Sequence, residues 1–355
     1  MPHLTFDPKI EQLLREHVGT EAFRVDPRTV GIADGALLRE AMSRRTIHDF
    51  ESSVFRPVER TRVDPETRKQ VMRALAQDIR AATAADSAAW TSDPEHLLGI
   101  WPRAGSRHLA RLLFRHDPWF LRMLVRTPNS RTAMGLAKAA LTKAVPTGSV
   151  PSRAGGDMAE SALSRLLMDP EAPHRSIALR LYRRTANALC SAVAALLTNA
   201  VYLESERPSG ARTRDIFLET LRLLPPSWLL SRQAGREYAD LHPLIGPGDG
   251  LLLCPLLAHR NPLTWDEPSV YAPARWSAVT DPESLTDFVP FGSGTDRCWA
   301  RSQVVQLAEY AWERGVGRLA VNPSQRVARV EVRPILTVAR LDVNHVREAR
   351  SPAVR

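Results

Sequence analysis

The spacing of hydrophobic residues along the chain is mostly that of α-helices. Between residues 64 and 79, a proline in the first turn and apolar side chains at intervals of three and four residues predict an amphipathic helix. Residues 174–203 contain no glycine or proline, which predicts one helix of about 45 Å at about 1.5 Å per residue. On its helical wheel the apolar face lies opposite Arg183, Arg184 and Asn187. Such a helix is long enough to cross a whole domain.

Extended patterns occur on both sides of these helices. Residues 23–32 predict a pair of short strands, and residues 34–42 predict a helix that is capped by Asp34. Helical patterns fill most of residues 93–143, and after residue 240 the chain changes to short strands and turns. The whole pattern predicts a fold that is mainly α with a small β lobe.

The composition is that of a globular protein from a reducing compartment. The 355 residues are 44% hydrophobic, which is ample for a sizeable core. Cys190, Cys254 and Cys298 form no C-x-x-C pair and no disulfide framework. The chain begins with neither a basic nor an apolar leader segment, and it has no uninterrupted apolar run of about 18 residues. We therefore expect a cytoplasmic protein with no membrane segment.

The net charge of +9 raises the question of a nucleic acid partner. It arises from 48 Lys and Arg residues against 39 Asp and Glu residues. No basic run is interleaved with aromatic residues, and no nucleic-acid-binding motif is present. We expect no nucleic acid partner, and an acidic protein partner is the better explanation of a basic surface.

Residues 288–300 have the composition of a binding loop. Their sequence is Phe-Val-Pro-Phe-Gly-Ser-Gly-Thr-Asp-Arg-Cys-Trp-Ala, and a helical pattern follows from residue 302. Gly292 and Gly294 can adopt φ values that residues with a Cβ avoid, so the backbone can pass close to a large flat partner. Cys298 then stands at the beginning of a helix, where the dipole and unpaired N–H groups favour a thiolate. A thiolate held there is a good axial ligand for haem iron.

This loop resembles the cysteine loop of the cytochrome P450 family. That loop has Phe, Gly, Cys and Gly or Ala at relative positions one, four, eight and ten, and the residues at these positions here are Phe291, Gly294, Cys298 and Ala300. The resemblance implies the cytochrome P450 fold, one haem b, and Cys298 as the ligand of its iron. It also implies a single domain over residues 1–355, with a β-rich lobe at about 1–60 plus the C-terminal strands and a helical lobe with the haem site at about 61–325.

Two further segments are similar to the same family. Glu219-Thr-Leu-Arg222 and the residues up to Arg232 resemble the Glu-x-x-Arg helix and the strand after it, whose arginine pairs with a haem propionate. Residues 259–276 resemble the segment whose arginine, here Arg275, closes on the Glu-x-x-Arg pair. A buried cysteine and a helical Glu/Arg pair are each common alone, but their order and spacing together are not. The resemblance implies a buried cluster of Glu219, Arg222 and Arg275.

The cysteine loop departs from the family pattern at one propionate-binding position. The residue two before the ligand is usually His or Arg and is Asp296 here, so we assign that role to the neighbouring Arg297. Trp299 is also bulkier than the usual aliphatic residue. With these changes, the cofactor-binding residues that the resemblance implies are Arg232, Phe291, Gly294, Arg297, Cys298 and Ala300.

The helix predicted at 64–79 departs from the family in a similar way. The family has His or Trp and then, four residues on, Arg, and both reach the haem propionates. Thr67 and Val71 stand at these positions here. Arg68 or Arg73 is an alternative ligand, although an ordinary solvated arginine explains either residue as well.

The long central helix lacks the family's acid–alcohol pair, which delivers protons to the distal oxygen. The family pattern is Ala-Gly-x-Asp/Glu-Thr. The best match here places Arg183 at the acid and Arg184 at the threonine, and a shift by one residue keeps Thr185 as the alcohol with Arg184 as the acid. Neither register contains a carboxylate or the glycine. The candidate catalytic residues are therefore Thr185, Arg183 and Arg184, although a solvated polar stripe explains the arginines equally well.

Three functions follow from these observations. The resemblance implies a monooxygenase that inserts one oxygen atom of O2 into a small organic substrate, with electrons from a ferredoxin or flavodoxin-type partner. An alternative is a peroxide-driven or otherwise atypical haem-thiolate enzyme, in which Arg183 or Arg184 holds an acidic substrate. A third function, of another class, is that of a catalytically silent relative that activates a partner enzyme such as a glycosyltransferase. Cys298 in its glycine-rich turn argues against this third function.

Overall fold

The computed structural model describes residues 3–44, 63–84, 97–127, 130–144, 160–171, 177–206, 209–238, 240–294, 297–322, 325, 327–333 and 335–346. The α-helices are α1 Pro8–His17, α2 Gly35–Ser43, α3 Pro65–Ala84, α4 Arg103–Phe114, α5 Trp119–Arg126, α6 Arg131–Ala144, α7 Ala162–Met168, α8 Ala178–Glu206, α9 Thr213–Leu223, α10 Pro255–Ala258 and α11 Arg301–Glu313. The strands are β1 His3–Thr5, β2 Ala22–Asp26, β3 Thr29–Ile32, β4 Gly99–Trp101, β5 Leu230–Gln233, β6 Gly250–Leu253, β7 Leu319–Val321, β8 Val327–Arg333, β9 Ile335–Val338 and β10 Leu341–Val346.

The strands form three small sheets. In the first, β1 pairs in parallel with β8, and β8 pairs antiparallel with β9, so strands from both ends of the described chain share one sheet. The second has the order β4-β10-β7 and is antiparallel. The third has the order β2-β3-β6-β5 and contains one parallel pair, β3 with β6. Its apolar side packs with α2 into a core cluster that is separate from the main one.

Helix α8 is the central helix of the main core. It packs against α4, α5, α7, α9, α11 and β9, and most of its side chains are buried. A helix that is apolar on most sides must be covered on most sides, and the lack of glycine and proline allows it to stay continuous. Its length and composition would suffice to cross a bilayer, but 83% of the apolar window is buried inside the fold. This burial is that of a core helix.

Helices α2 and α3 begin at the residues that the sequence predicts. The Asp34 carboxylate accepts the N–H of Leu37 at 2.8 Å, and the Asp64 carboxylate accepts the N–H of Thr67 at 2.8 Å. Each carboxylate satisfies one N–H group that a first helical turn leaves without a partner. The apolar spacing of α3 then buries the predicted face, with Val71, Leu75 and Ile79 in the core.

The predicted fold class, mainly α with a small β lobe, is confirmed. The helix predicted at 174–203 is α8, and residues 172–176 lie outside the described residues. The helical pattern predicted for 93–143 is interrupted, because Gly99–Trp101 is the strand β4. This strand is determined by its pairing with β10 near the other end of the chain, which no local pattern reports. The single-domain division into a β-rich lobe and a helical lobe stays a prediction.

Candidate functional site

The loop of residues 288–300 ends at the first turn of α11. The backbone N–H of Cys298 donates to the carbonyl oxygen of Phe291 at 2.8 Å and closes the loop. Ala300 is the N-cap residue of α11, and its carbonyl oxygen accepts the N–H of Val304 at 2.8 Å. Cys298 therefore lies two residues before the helix cap, at the position that the sequence predicts.

The two glycines of the loop adopt backbone conformations that other residues avoid. Gly292 has a φ of 73° and Gly294 a φ of 54°, in the left-handed region that glycine enters without penalty. A Cβ on Gly294 would lie 2.7 Å from the Cα of Ser43. Gly294 is therefore needed both for its conformation and for the close approach of the loop to α2.

Cys298 is the one cysteine of the three whose side chain is not fully buried. Partial burial raises the pKa of the Cys298 thiol, while the backbone N–H of Ala300 and the charge of Arg301 act to lower it. Burial raises the thiol pKa of both Cys190 and Cys254 to about 12, so these two residues act as apolar fillers. At Cys298 the effect of burial on the pKa is therefore larger than that of Ala300 and Arg301, and a metal ion bound at the sulfur would act to lower the pKa.

Glu219 and Arg222 form a fully buried ion pair on α9. Arg222 Nε lies 2.9 Å from Glu219 Oε2, and Arg222 Nη2 lies 2.8 Å from Glu219 Oε1. Both side chains have a relative exposure of 0%. The spacing of three residues places both groups on one face of the helix, and the two parallel bonds match the planar guanidinium to the carboxylate.

Further donors from residues 272–276 complete the shell of Glu219. Its carboxylate accepts hydrogen bonds from the backbone N–H of Ala272 at 2.9 Å, the indole N–H of Trp276 at 2.9 Å and the Nε–H of Arg275 at 3.3 Å. Burial by itself raises the pKa of Glu219, but Arg222, Ala272 and Arg275 outweigh it and leave the pKa lowered. The predicted cluster of Glu219, Arg222 and Arg275 is confirmed, and Trp276 is an additional member.

His259 connects this cluster to the segment that leads into the Cys298 loop. Its Nε2 accepts the backbone N–H of Val289 at 2.8 Å, so its Nδ1 carries the proton and donates to the carbonyl oxygen of Arg222 at 3.1 Å. Complete burial lowers the pKa of His259 to about 3, which keeps the ring neutral. Arg222 in turn donates to the carbonyl oxygens of His259, Pro268 and Val270. The sequence motif contains His259, but sequence reasoning assigned it no role.

Arg232 lies on β5 and is buried, with a relative exposure of 4%. Its Nη1 donates to the carbonyl oxygen of Ser231 at 2.7 Å. A buried arginine on a strand beside the core is a cation in a low-dielectric setting, where an anionic ligand is a suitable partner.

Arg297 lies on the outer side of the loop, next to the ligand position. It forms an ion pair with Glu283, whose other carboxylate oxygen lies 3.1 Å from Nε of Arg301. Thr295 and Asp296, the second of which carries the departure from the family pattern, lie outside the described residues. Arg297 is thus close to Cys298 in sequence but is already engaged by a carboxylate.

Helix α3 reaches the same face of the molecule through Arg68. The Arg68 Cζ lies 5.1 Å from the centroid of the Trp299 ring, in a cation–π contact. Arg73 is exposed, with Nη1 3.9 Å from Glu66 Oε1. Of the two arginines that the sequence offered here, Arg68 is the one that contacts the residue after Cys298.

The fold and this motif set agree with one family of known proteins. A family model described as Cytochrome P450 matches residues 213–299, which run from the start of α9 to the residue after Cys298. The haem domain of cytochrome P450DA superposes with a TM-score of 0.63 at 15% identity and covers 96% of this chain and 92% of that one. Residues 213–299 are therefore similar to the cytochrome P450 family, and the chain has the fold of P450 haem domains. The predicted family resemblance is confirmed.

Curated relatives match about a quarter of this chain. It is 32% identical over 92 residues to cyclooctatin synthase of Streptomyces melanosporofaciens, which is 26% of this chain and 20% of that protein. It is 40% identical over 86 residues to 24-hydroxycholesterol 7-alpha-hydroxylase of Homo sapiens, which is 24% of this chain and 18% of that protein. The chain therefore spans about a fifth of the length of these curated relatives.

The family implies a haem with a thiolate ligand, and the residues of this P450 fit such a group. Cys298 is only partly buried and lies beside an N–H donor and a cation. The left-handed Gly292 and Gly294 keep the loop free of side chains at its turn. Arg232 is a buried cation on a neighbouring strand. This set offers one soft anionic ligand for iron and a cation for a propionate.

The distal candidates of this P450 occupy different faces of α8. Ser191 is the one exposed side chain within Ala178–Ser205, and it lies among buried neighbours. At about 100° per residue, Arg184 lies within about 20° of Ser191 around the helix. Along the helix axis the half-buried Ala188 lies between them. On the same geometry Arg183 is rotated from Ser191 by about 80° and Thr185 by about 120°. The open face of α8 therefore contains Arg184 and Ser191, and sequence reasoning missed Ser191.

Proposed function

We propose that this P450 is a haem-thiolate monooxygenase that inserts one oxygen atom of O2 into a small organic molecule. The observation that carries this proposal is the placement of Cys298, which is only partly buried and precedes α11 in a loop that His259 joins to the buried Glu219–Arg222 pair. A bound haem would supply the oxygen activation, because an anionic sulfur ligand favours O–O cleavage. The name of the human relative, a hydroxylase, supports the same reaction class.

In this proposal the chain holds haem b through three kinds of contact. Cys298 ligates the iron, and Phe291, Gly294 and Ala300 form the surface of the loop against the macrocycle. Arg232 binds one propionate, because it is buried on β5 and can form two parallel bonds to a carboxylate. Arg297 would bind a propionate only by sharing or leaving Glu283.

The electron donor is proposed to be an acidic protein of the ferredoxin or flavodoxin type. Three arginines lie near Cys298, at positions 68, 297 and 301, together with the exposed Trp299. A basic surface with an aromatic residue favours association with an acidic partner. The unpaired cysteines support a reducing compartment such as the cytoplasm. No nucleic acid partner and no membrane segment form part of the proposal.

The absorbance spectrum of the reduced protein under carbon monoxide tests the proposal. We expect the band of a thiolate-ligated haem in the wild type and its loss in Cys298→Ala. The matched control is Cys254→Ala, which removes a buried cysteine outside the loop and should leave the band unchanged. A colourless wild type would contradict the haem-thiolate proposal and favour the silent auxiliary function. An unchanged band in Cys298→Ala would remove Cys298 as the ligand.

One observation favours a second candidate function, that of a haem-thiolate enzyme that acts on an acidic substrate. Its oxidant can also be peroxide. Arg184 and Ser191 share the open face of α8, so a substrate carboxylate bound by Arg184 would lie along the same face as the Ser191 hydroxyl. The substrate acid would then supply the proton that the family's acid–alcohol pair usually delivers. The Ser191 Oγ would hold that proton or a water molecule.

Substrate-induced spectral shifts distinguish the two candidates. With dodecanoate as the acidic probe, loss of a charge-assisted contact of about 1.5–3 kcal/mol in Arg184→Leu should weaken binding by roughly ten- to a hundredfold. Arg183→Leu is the matched control, because Arg183 lies on a different face and should bind the probe as the wild type does. Dodecanol, which has no carboxylate, should bind equally to all three. Equal dodecanoate binding by the wild type and Arg184→Leu would contradict the acidic-substrate candidate and leave the ordinary monooxygenase.

A further inference from the structure

We propose that helix α2 positions the Cys298 loop and that Arg39 is the main positioning residue. This inference rests on the proposed function, since it concerns the loop that holds the haem ligand. Helix α2 belongs to the core cluster that is separate from the main core, and in it Leu38, Ala41 and Met42 pack against β3, β5 and β6. The same cluster contains Val289 of the segment that leads into the loop.

The first contact is at the start of α2. The backbone N–H of Gly35 donates to Oδ1 of the buried Asp287 at 2.9 Å. A Cβ on Gly35 would lie 2.1 Å from that oxygen and 2.7 Å from the Asp287 Cα. The Asp287 carboxylate also accepts bonds from Asn261 and Thr264. Asp287 thus holds three segments together immediately before the loop.

The second contact is the side chain of Arg39. Its Nε donates to the carbonyl oxygen of Thr286 at 2.9 Å. Its Nη2 contacts the carbonyl oxygens of Leu285 at 2.7 Å, and of Glu283 and Phe288 at 3.1 Å each. One guanidinium therefore binds four carbonyl groups within a stretch of six residues. These carbonyls lie outside long helices and strands, where a side-chain donor can satisfy carbonyl groups that no regular ladder pairs. The Leu285 carbonyl oxygen also accepts the backbone N–H of Phe288 at 3.0 Å.

The third contact is at the end of α2. A Cβ on Gly294 would lie 2.7 Å from the Ser43 Cα and 3.1 Å from the Met42 carbonyl oxygen. The turn of the loop is therefore packed directly on the last residues of α2, four residues before Cys298. Helix α2 therefore contacts this part of the chain at Asp287, at the carbonyl groups of residues 283–288 and at Gly294. Because the helix is rigid, it keeps these three contacts at constant separation.

This arrangement also relates the two candidate haem contacts to each other. Arg232 lies on β5, and Leu230 of the same strand packs in the cluster that holds α2. The helix therefore connects the strand with the proposed propionate ligand to the loop with the proposed iron ligand. Removal of Arg39 should loosen residues 283–298 while the sheet and the Glu219–Arg222 pair stay folded.

Hydrogen exchange and spectroscopy of the full-length chain test the proposal. In Arg39→Gln, amides of residues 288–298 should exchange about tenfold faster, and the thiolate-type band should decay about tenfold faster in mild urea. The matched control is Arg44→Gln, which removes an arginine at the end of the same helix that pairs with Glu40 and Asp240. It should leave both rates unchanged. Arg39→Lys keeps one cationic group that can donate hydrogen bonds, so it should recover part of the protection against amide exchange.

Gly35→Ala provides an independent variant, because its Cβ overlaps Asp287 and should displace the same segment. Faster exchange confined to residues 283–298 in Arg39→Gln and Gly35→Ala supports the positioning role. Equal exchange in Arg39→Gln and Arg44→Gln, whether both are unchanged or both are faster throughout the chain, overturns it. A wild type that binds no haem would contradict the proposed function alone, since the exchange comparison needs no haem.

Discussion

The carboxylates of Glu219 and Asp117 are both buried, yet their partners differ in kind. Glu219 is met by the guanidinium of Arg222, and its pKa is lowered despite burial. Asp117 accepts the N–H and O–H of Ser161 at 2.8 Å each and the O–H of Tyr182, and burial raises its pKa. The neutral donors around Asp117 therefore do not offset the loss of water around its carboxylate, whereas Arg222, together with Ala272 and Arg275, does so at Glu219.

Asp78 belongs with Asp117 in this comparison. It accepts the N–H groups of Ala162 and Leu163 at 2.6 and 3.1 Å. Burial raises its pKa to about 6, the two N–H groups act to lower it, and the nearby Asp117 adds to the rise. The Asp78–Asp117 cluster joins α3, α7 and α8, while Glu219 joins α9 to residues 272–276. We therefore expect the two centres to respond differently to substitution and to pH.

The largest effect is expected for Glu219→Ala. The change leaves the Arg222 guanidinium buried without its carboxylate, which typically costs about 3–5 kcal/mol. We expect misfolded or haem-free protein, measured by urea unfolding and by haem content. The control is Glu313→Ala on the exposed side of α11. Soluble holoprotein of normal stability in Glu219→Ala would contradict the structural role of the pair.

The pH dependence of stability should separate the two centres. Because the folded-state pKa of Asp78 is raised to about 6 from its ordinary value of 3.8, the folded chain binds more protons between these values. The free energy of unfolding of the wild type relative to Asp78→Asn should therefore fall by about 2–3 kcal/mol as the pH rises from about 4 to 7. Glu219 has the opposite sign, since its pKa is lowered and its contribution is lost as the pH falls.

Urea unfolding of the wild type and Asp78→Asn between pH about 4 and 7 measures how the free energy of unfolding of each protein changes with pH. The substitution also changes one hydrogen bond, but that offset is the same at each pH. A constant difference between the wild type and Asp78→Asn would show that Asp78 titrates near its ordinary pKa.

A smaller effect is expected for Asp117→Ala. It leaves the buried Tyr182 hydroxyl and the Ser161 groups without their acceptor, at about 1–3 kcal/mol. Tyr182→Phe removes one donor and keeps the ring, so it should destabilise the fold less. Thermal unfolding of the two variants shows which substitution destabilises the fold more. A larger loss in Tyr182→Phe than in Asp117→Ala would show that the Tyr182 hydroxyl stabilises the fold through more than its bond to Asp117.

The smallest effect is expected for Trp276→Phe. The change removes the indole N–H that donates to Glu219 Oε2 at 2.9 Å but leaves four donors from Arg222, Ala272 and Arg275. We expect a loss of about 1 kcal/mol in the free energy of unfolding, measured in urea. A loss as large as that of Glu219→Ala would show that the neutral donor, and not the cation, determines the stability of the pair.

Local features of this P450 could be predicted from its sequence because short-range geometry determines them. Asp34 and Asp64 cap helices within three residues of themselves, and the cap at Asp34 is the predicted one. Glu219 and Arg222 share one helical face at any rotation of α9, so their pairing needs no knowledge of the rest of the fold. Gly294 is recognisable because only glycine enters its backbone conformation freely. Gly294 and the Glu219–Arg222 pair formed part of the family resemblance.

Other features depend on contacts between distant segments, and the tertiary structure alone decided them. The rotation of α8 about its axis is fixed by packing on many sides, and it places Ser191 with Arg184 on the open face and turns Thr185 away. Arg39 resembles any solvated arginine until its four carbonyl partners, about 245 residues later, are folded against it. The position of the Cys298 loop therefore follows from long-range packing, while the chemistry of its cysteine follows from the local sequence.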